Sequence, residues 1–243
     1  MTAGASISER PLPLPQVLVF DVDGTLIDTL RPMRQALNEV LAASGLPPWS
    51  EATVREHLSL GLQGLLSTAL RTAGPMPPGG CERASLSQLL QRYLVLAPRQ
   101  ARCFDGASAM LDQARAAGCR LAVCSNAAGP VLQALFEAQG WHSLFDAVVH
   151  AGNAVALKPS GQPLTQVLAQ LGVSPAQAWL IGDSALDAAC AQAAGSAFVW
   201  FSGGYGGVRP QAVAAQVDAL DGVIELLDRA RRRPDPISSG QRR

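Results

Sequence analysis

The spacing of hydrophobic positions divides this chain into a helical stretch and an alternating stretch. Between 29 and 102 the apolar residues recur every three or four positions, which is typical of amphipathic helices with one buried face. The three stripes are Leu30, Met33, Leu37, Val40 and Leu41, then Leu62, Leu65, Leu66 and Leu70, then Leu86, Leu89, Leu90, Tyr93 and Leu94. Ser85 with Gln88 is typical of a capping box at the start of the third helix. This pattern predicts helices and no strand.

Short apolar runs alternate with helical stripes in the rest of the chain, and this rhythm predicts a parallel sheet. The runs that predict strands are 17–20, 120–124, 147–150, 178–181 and 197–200. Helices are predicted near 108–117, 130–139, 164–171, 185–194 and 222–230. Repeated strand–helix units of this length place helices on both faces of the sheet. The predicted fold class is therefore α/β, and the helical stretch is expected to be a cap inserted after the first strand.

The predicted domain division follows from this order. A core made of 16–28 and 103–230 carries a helical cap at 29–102. The proline-rich lead-in at 1–15 and the basic tail at 231–243 are expected to be disordered. The 243 residues, of which 48% are hydrophobic and 16% charged, suffice for one sizeable core with a small accessory domain.

The composition limits the classes of binding partner and the cellular compartment that are expected for this protein. The 19 basic and 19 acidic residues balance, which argues against nucleic acid or an anionic membrane as the main partner. No apolar segment approaches the length of a membrane span, and no secretory leader is expected. Five cysteines without a Cys-x-x-Cys pair are expected to be reduced thiols in the cytoplasm. The three scattered histidines argue against a zinc or iron site.

Two acidic residues stand where the first predicted strand ends. Asp21 and Asp23 come two positions apart, and Gly24 and Thr25 follow. In open parallel sheets, ligands bind outside the carboxyl ends of the strands. Two carboxylates held together there are costly unless a cation shares them. The pattern predicts a site for a hard metal ion with oxygen ligands, in which one acid is left free for chemistry.

Three further polar groups are predicted to reach the same edge of the sheet. Ser125 and Asn126 end the strand at 120–124, and Asp183 with Asp187 follow the strand at 178–181. Lys158 precedes a proline, so it is expected in an extended loop. Each group alone has a structural explanation, as turn residues, a helix N-cap, a helix start or a surface lysine. Their coincidence in this order favours a functional site.

The chain resembles the haloacid dehalogenase-like superfamily of hydrolases in four motifs. In chain order they are Asp21-Val22-Asp23-Gly24-Thr25, Ser125-Asn126, Lys158-Pro159 and Gly182-Asp183-Ser184-Ala185-Leu186-Asp187. Within that superfamily it is most similar to the phosphoglycolate phosphatase-like branch, which has a helical cap. That similarity also includes Leu171-Gly172-Val173-Ser174-Pro175, Ala193-Ala194-Gly195 and Gly203-Gly204-Tyr205-Gly206.

The resemblance implies a Rossmann-like core and the Mg²⁺-dependent hydrolysis of a small phosphomonoester, 2-phosphoglycolate-like or a sugar phosphate, through an aspartyl phosphate. It implies that Asp21 is the nucleophile and that Asp23 is the general acid and base. The implied phosphate-binding residues are Gly24, Thr25, Ser125, Asn126 and Lys158, and of these Ser125 and Lys158 are also implied to be catalytic. The implied metal site consists of the Asp21 and Asp183 carboxylates, the Asp23 backbone carbonyl and Asp187, which orients metal-bound waters or Lys158.

Some residues depart from that branch and leave the substrate open. Ala127 stands where a lysine is frequent, Asn153 where an aspartate is usual, and Gly161 where a proline is common. The cap stretch at 60–64 lacks the polar character usual in a substrate-reading loop. A sugar phosphomutase and a catalytically idle binding protein of the same superfamily are the alternatives. The expected partner is a small phosphorylated metabolite, and the expected assembly is a monomer or a homodimer.

Overall fold

A computed structural model describes residues 12–73 and 82–232. The strands are β1 Val17–Phe20, β2 Ile27–Asp28, β3 Arg102–Cys103, β4 Arg120–Cys124, β5 Ala147–Val149, β6 Ala178–Gly182, β7 Ala197–Phe201 and β8 Ala215–Val217. The α-helices are α1 Leu30–Ala43, α2 Glu51–His57, α3 Gly61–Thr72, α4 Glu82–Gln100, α5 Ala107–Ala116, α6 Gly129–Gln139, α7 Gln162–Leu171, α8 Ala185–Ala194 and α9 Gly222–Arg231. Short 3₁₀ turns occupy Leu58–Leu60 and Pro175–Gln177.

Six of the strands form one parallel sheet in the order β5-β4-β1-β6-β7-β8. The central strand β1 pairs with β4 and β6, so that Phe20 lies opposite Val123 and Ile181. This register brings the carboxyl ends of three strands to one edge of the sheet. The predicted α/β fold with a parallel sheet is confirmed. Strand β8 was not predicted, because its Ala-Gln-Val sequence is too short and too mixed to give a pattern.

Strand β1 is buried on both faces, as its apolar run predicts. Leu18 and Phe20 belong to a cluster that continues into the helices α1 to α6 and α9. Val17 and Val19 belong to a second cluster, which packs against α7 and α8. All four side chains are fully buried. Because successive side chains on a strand point to opposite faces and both faces are packed here, polar side chains can follow only beyond the end of the strand.

The helices α1 to α4 lie between β2 and β3. These two short strands pair antiparallel, with Ile27 opposite Cys103 and Asp28 opposite Arg102, so the chain leaves and re-enters the core at one place. Sequence spacing predicted no strand within 29–102, and Arg102 is a correction to that prediction. A two-residue strand has no periodicity to detect.

Two details of the helical region also differ from the sequence predictions. The capping box at Ser85 and Gln88 is wrong, because α4 begins at Glu82 and Ser85 is buried inside that helix. Helix α2 was not predicted, because Val54 is its only buried side chain and gives no stripe. Its start does carry a capping signal, since the Thr53 amide donates to the Ser50 hydroxyl at 3.1 Å.

The two chain ends are described only in part. Residues 12–15 lie within the predicted lead-in, but the Pro13 carbonyl accepts a hydrogen bond from Trp179 Nε1 at 3.0 Å. Helix α9 includes Arg231, the first residue of the predicted tail. The rest of both predicted tails, at 1–11 and 233–243, lies outside the described residues. So do Gly74, Pro75, Pro77 and Pro78, which are expected from the sequence to end the second of the predicted helices between 29 and 102. Within 12–73 and 82–232 no helix has the length and hydropathy needed to cross a membrane.

Candidate active site

Backbone pairing fixes the first predicted site residues at the edge of the sheet. The Asp21 amide continues the ladder beyond β1 and donates to the Ile181 carbonyl at 3.0 Å. The Ser125 amide does the same beyond β4 and donates to the Val149 carbonyl at 3.0 Å. Both side chains are buried. Because the backbone of both residues is hydrogen-bonded to the neighbouring strand, the sheet holds their positions rigidly.

Lys158 joins two of the acidic residues by buried ion pairs. Its Nζ lies 2.8 Å from Asp21 Oδ1 and 2.6 Å from Asp187 Oδ1, and its side chain is 2% exposed. The main chain of Lys158 is held by one amide side chain. The Lys158 amide donates to Asn126 Oδ1 at 2.9 Å, and Asn126 Nδ2 donates to the Lys158 carbonyl at 3.0 Å. Asn126 therefore fixes the position of the lysine.

Asp183 receives hydrogen bonds from two directions. Its Oδ1 accepts from the Thr25 hydroxyl at 3.1 Å, and its Oδ2 accepts from the Tyr205 amide at 2.8 Å. Gly24 has a φ of +87°, and a Cβ there would lie 2.6 Å from Asp183 Oδ2. Only glycine combines that backbone conformation with so close an approach. The turn after Asp23 and the carboxylate thus fit each other.

Asp187 is tied into the start of α8. Its Oδ2 accepts from the Ser184 amide at 3.1 Å and from the Ser184 hydroxyl at 2.5 Å, while its Oδ1 is paired with Lys158. Both oxygens therefore have partners, which fits the predicted role of orienting Lys158. One carboxylate oxygen from each of Asp21, Asp183 and Asp187 lies within 4.8 Å of the other two. These three buried acids can hold a divalent cation that prefers oxygen ligands.

The electrostatics of this group favour such a cation. Burial raises the pKa of Asp21 to about 8, against the lowering effect of Lys158 and with further increases from Asp187 and Asp183. Burial and Asp187 raise the pKa of Asp183 to about 7. Burial acts to lower the pKa of Lys158, but Asp187 and Asp21 hold it well above its ordinary value. Three acids share one ammonium group, so the site has an excess of negative charge that a divalent cation would neutralise.

Asp23 lies apart from the buried acids. The residue is half-buried, and its Oδ1 accepts a hydrogen bond from the Thr29 hydroxyl at 2.5 Å. Burial raises the pKa of Asp23, while the hydrogen bond from Thr29 lowers it. A carboxyl group with a raised pKa is suited to giving and taking a proton near neutral pH. Asp23 is therefore held by Thr29, whereas Asp21 and Asp187 contact Lys158.

Sequence reasoning missed the part played by Tyr205. Its hydroxyl accepts from the Thr29 and Leu30 amides at 2.8 and 3.0 Å and donates to Asp28 Oδ1 at 2.5 Å. Burial and Asp28 raise the pKa of the Tyr205 phenol, so it stays protonated as a donor. In the sequence, Tyr205 stands out only as part of the glycine-rich stretch 203–206, which contributes to the family resemblance. Nothing in that stretch predicts which residues the tyrosine contacts. Its contacts join residues more than 170 positions apart.

A cavity of about 280 Å³ lies where the helical region meets the core, beside Asn126. Most of the side chains that line it are apolar, and they include Leu60, Leu62, Leu86, Leu90 and Leu157. Asn126 Nδ2 also donates to the Ser59 carbonyl at 3.2 Å, which connects this loop of the helical region to the core. The cavity therefore adjoins the residue that positions Lys158.

Comparison with known proteins identifies related chains. The family model described as haloacid dehalogenase-like hydrolase matches residues 18–201. The phosphoglycolate phosphatase of Caulobacter vibrioides is 34% identical over 188 residues, which are 77% of this chain and 79% of that protein. The phosphoglycolate phosphatase of Rhodospirillum rubrum is 35% identical over 196 residues, which are 79% of this chain and 81% of that protein.

Solved structures give the same picture. CbbY from Rhodobacter sphaeroides in complex with phosphate is 26% identical, with a TM-score of 0.79 over 88% of this chain and 99% of that chain. A mutant of the same protein in complex with xylulose-(1,5)bisphosphate is 26% identical, with a TM-score of 0.77 over 85% of this chain and 95% of that chain.

Proposed function

This chain belongs to the haloacid dehalogenase-like hydrolase family and is a phosphoric monoester hydrolase, and we propose that it cleaves a small phosphomonoester with Mg²⁺ through an aspartyl phosphate on Asp21. The observation that carries this proposal is the buried contact of Asp21 with Lys158 beside Asp183 and Asp187. The enzyme acts on a small phosphorylated metabolite in the cytoplasm.

The metal site in this proposal uses the carboxylates of Asp21 and Asp183 and the backbone carbonyl of Asp23. An all-oxygen donor set with excess negative charge fits Mg²⁺, which prefers few carboxylates and retains waters. When bound, Mg²⁺ supplies the positive charge that keeps Asp21 ionised and offsets the charge of the phosphate. Asp187 holds Lys158 in place, because both oxygens of its carboxylate are already engaged.

The residues of the chain carry out two displacements at phosphorus. An Asp21 oxygen attacks phosphorus, and the ester oxygen leaves with its bonding electrons and takes a proton from Asp23. Asp23, now a carboxylate, removes a proton from a water that attacks the aspartyl phosphate. Phosphate departs and Asp21 is regenerated. The hydrogen bond from Thr29 holds the Asp23 carboxyl group in place during both proton transfers.

The remaining site residues bind the phosphoryl group. Lys158 is a point charge at the non-bridging oxygens, and the Ser125 hydroxyl and the Asn126 backbone N–H donate to them. Gly24 and Thr25 line the same turn, where the Thr25 hydroxyl contacts Asp183. Donors fixed before the reaction stabilise developing charge without reorganisation, which is the largest contribution expected in such a site.

The test is a Mg²⁺-dependent assay with a chromogenic phosphomonoester. We expect Asp21→Asn to lose at least about a thousandfold in kcat, because the amide is not a nucleophile, with the folded state intact by circular dichroism. Asp23→Asn is expected to accumulate the phospho-enzyme, which acid quench and mass spectrometry detect. Wild-type turnover in Asp21→Asn would contradict the proposal.

The leaving group is proposed from the relatives. Phosphoglycolate phosphatases and a xylulose bisphosphate complex point to 2-phosphoglycolate or a sugar phosphate. A panel of 2-phosphoglycolate, sugar phosphates and nucleotides, with and without Mg²⁺, separates these substrates by kcat/KM. Measurement of released phosphate against isomerised sugar phosphate distinguishes a phosphatase from a mutase.

A further inference from the structure

One loop residue contacts both the candidate metal site and the entrance to the helical region. Tyr205 lies in the loop between β7 and β8 and donates its amide hydrogen to Asp183 Oδ2 at 2.8 Å. Gly206 beside it has no room for a Cβ, because that atom would meet the Asp183 carbonyl oxygen. The loop therefore packs directly on the backbone and the carboxylate of Asp183. A change in the position of the Asp183 carboxylate therefore acts directly on Tyr205.

The other end of Tyr205 anchors the first turn of α1. Its hydroxyl accepts from the Thr29 and Leu30 amides and donates to Asp28, so all three hydrogen-bonding positions of the phenol are used. Amides at a helix start have no partner within the helix. Here the Leu30 amide is shared between the Tyr205 hydroxyl and Asp28 Oδ1, which lies 3.1 Å away. A side chain from a distant loop thus helps to hold the point where the chain enters the helical region.

The Tyr205 ring also contacts the chain on its return and the body of the helical region. The ring centroid lies 6.1 Å from that of Phe104, which follows β3. The Arg55 guanidinium carbon, on α2, lies 5.6 Å from the Tyr205 ring centroid. Tyr205 therefore touches the outgoing connection, the returning connection and one helix of the inserted region.

Thr29 links the first turn of α1 to Asp23. Thr29 is the N-cap residue of α1, yet its side chain makes no capping hydrogen bond. Its hydroxyl donates to Asp23 Oδ1 at 2.5 Å instead. A threonine at this position would ordinarily accept from its own helix. The third helical residue is Pro32, which has no amide hydrogen to donate to a cap. Tyr205 accepts from the Thr29 amide, so it fixes the backbone from which the Thr29 hydroxyl reaches Asp23.

We infer that Tyr205 is a positioning residue that couples Mg²⁺ occupancy at Asp183 to the seating of the first turn of α1 and, through Thr29, to the orientation of Asp23. This inference rests on the proposed function for the identity of the ion and for the role of Asp23. In this inference Tyr205 acts through its contacts with Asp183 and Thr29.

The experiment compares wild type with Tyr205→Phe, which keeps the ring and the amide but removes the hydroxyl. Hydrogen exchange of the 27–33 segment is measured with and without Mg²⁺. In wild type, Mg²⁺ is expected to slow exchange about fivefold, on the scale of one helix cap. In Tyr205→Phe the effect of Mg²⁺ should fall below about twofold. The Mg²⁺ dissociation constant, measured by calorimetry, should stay within about threefold because the Asp183 contact remains.

Kinetics provide a second measurement that a purely structural role would not alter. Tyr205→Phe should lower kcat about five- to tenfold, with KM changed less, because the Thr29 backbone loses an anchor and its hydroxyl then holds Asp23 less precisely. Ser202→Ala is the matched control, since Ser202 lies in the same loop and its hydroxyl donates to Asp218, away from α1. The control should keep both the Mg²⁺-dependent exchange and kcat.

Two results would overturn the inference. One is full Mg²⁺-dependent protection of 27–33 in Tyr205→Phe, and the other is the absence of any Mg²⁺ effect on this segment in wild type. If Tyr205→Phe does not fold, Asp28→Ala replaces it, because Asp28 Oδ1 accepts from both the Tyr205 hydroxyl and the Leu30 amide, and its loss should weaken the same Mg²⁺-dependent protection. Hydrogen exchange does not require catalytic turnover, so it tests the role of Tyr205 independently of the proposed function. Inactivity of wild type on every phosphomonoester would refute the proposed function alone.

Discussion

The carboxyl edge of the sheet and the helical region face each other, but their side chains are held by different forces. At the sheet edge, Lys158, Asp183 and Asp187 are buried, and each has at least two ion-pair or hydrogen-bonding partners. On the helical side, the cavity beside Asn126 is lined mainly by leucines. Directional contacts fix atoms to a fraction of an ångström, whereas apolar contacts fix mainly shape and volume.

The difference separates two tasks in one molecule. Charge buried at the sheet edge gives chemistry a fixed geometry, because each group is costly to move from its partner. Apolar packing on the helical side discriminates only weakly between leaving groups, because small changes in an apolar group alter its binding free energy little. The two sides meet closely at Gly61, where a φ of +70° brings the loop so near that a Cβ would lie 2.5 Å from the Asn126 carbonyl oxygen.

Removal of the positive charge of Lys158 should have the largest effect on stability and activity. Lys158→Met leaves Asp21 and Asp187 buried without their cation, which is expected to cost about 3–5 kcal/mol of unfolding free energy. Activity should fall at least about a thousandfold, because phosphate loses its point charge. Urea unfolding and kcat measure the two effects. Lys158→Arg is the control for charge, and unchanged stability in Lys158→Met would refute this account of the sheet edge.

A smaller effect concerns pH and the metal. The pKa values of Asp21 and Asp183 are raised to about 8 and about 7, so the metal-free folded protein holds protons that the unfolded chain releases near pH 4. Their contribution to stability is complete below about pH 4 and is lost as pH rises through 7 and 8. Thermal unfolding in a chelator should therefore show a midpoint that falls from pH 5 to pH 8.5.

Magnesium should reverse that loss. A saturating ion is expected to add about 2.7 kcal/mol at a concentration one hundred times its dissociation constant, with a larger gain at pH 8.5 than at pH 5. Asp183→Asn provides the control, because it removes one titrating ligand and should flatten the pH dependence. A midpoint that rises with pH in the chelator would contradict the electrostatic argument.

The smallest effect should come from the helical side. Leu60→Arg places a cation at the rim of the cavity, where Leu60 is already 37% exposed, so stability should change little. The KM for 2-phosphoglycolate, which has a second anionic group, should fall about fivefold, while that for phenyl phosphate stays constant. Leu60→Gln is the neutral control. Equal changes for both substrates would show that this rim does not contact the leaving group.

Long apolar patterns made most of the fold predictable. Strands such as β1 and β6 have four or five consecutive buried residues, so their runs are evident in the sequence. Strands β2, β3 and β8 have two or three residues and were missed. The Ser85–Gln88 pattern misled because serine with glutamine three positions later also occurs inside a helix. Local chemistry alone does not say where the helix starts.

The site was predictable where residues follow strand ends and unpredictable where they meet through folding. The order of the motifs predicted that Asp21, Lys158 and Asp183 converge. The pairing of the Asn126 amide with both main-chain groups of Lys158 joins positions 32 residues apart, and no spacing rule indicates it. The catalytic and ligand roles of these residues remain predictions that the mutants above test.

The burial of Lys158 has a consequence for covalent labelling. It is the only lysine in the chain, so the folded surface carries positive side-chain charge on arginine and presents no lysine ε-amine. Reagents or enzymes that acylate ε-amines reach their one target only when the site opens or the chain unfolds. The rate of lysine labelling therefore measures how often the site opens, because no other lysine contributes to the signal. For the same reason, isotopically labelled lysine gives a single spectroscopic signal, which comes from the centre of the site.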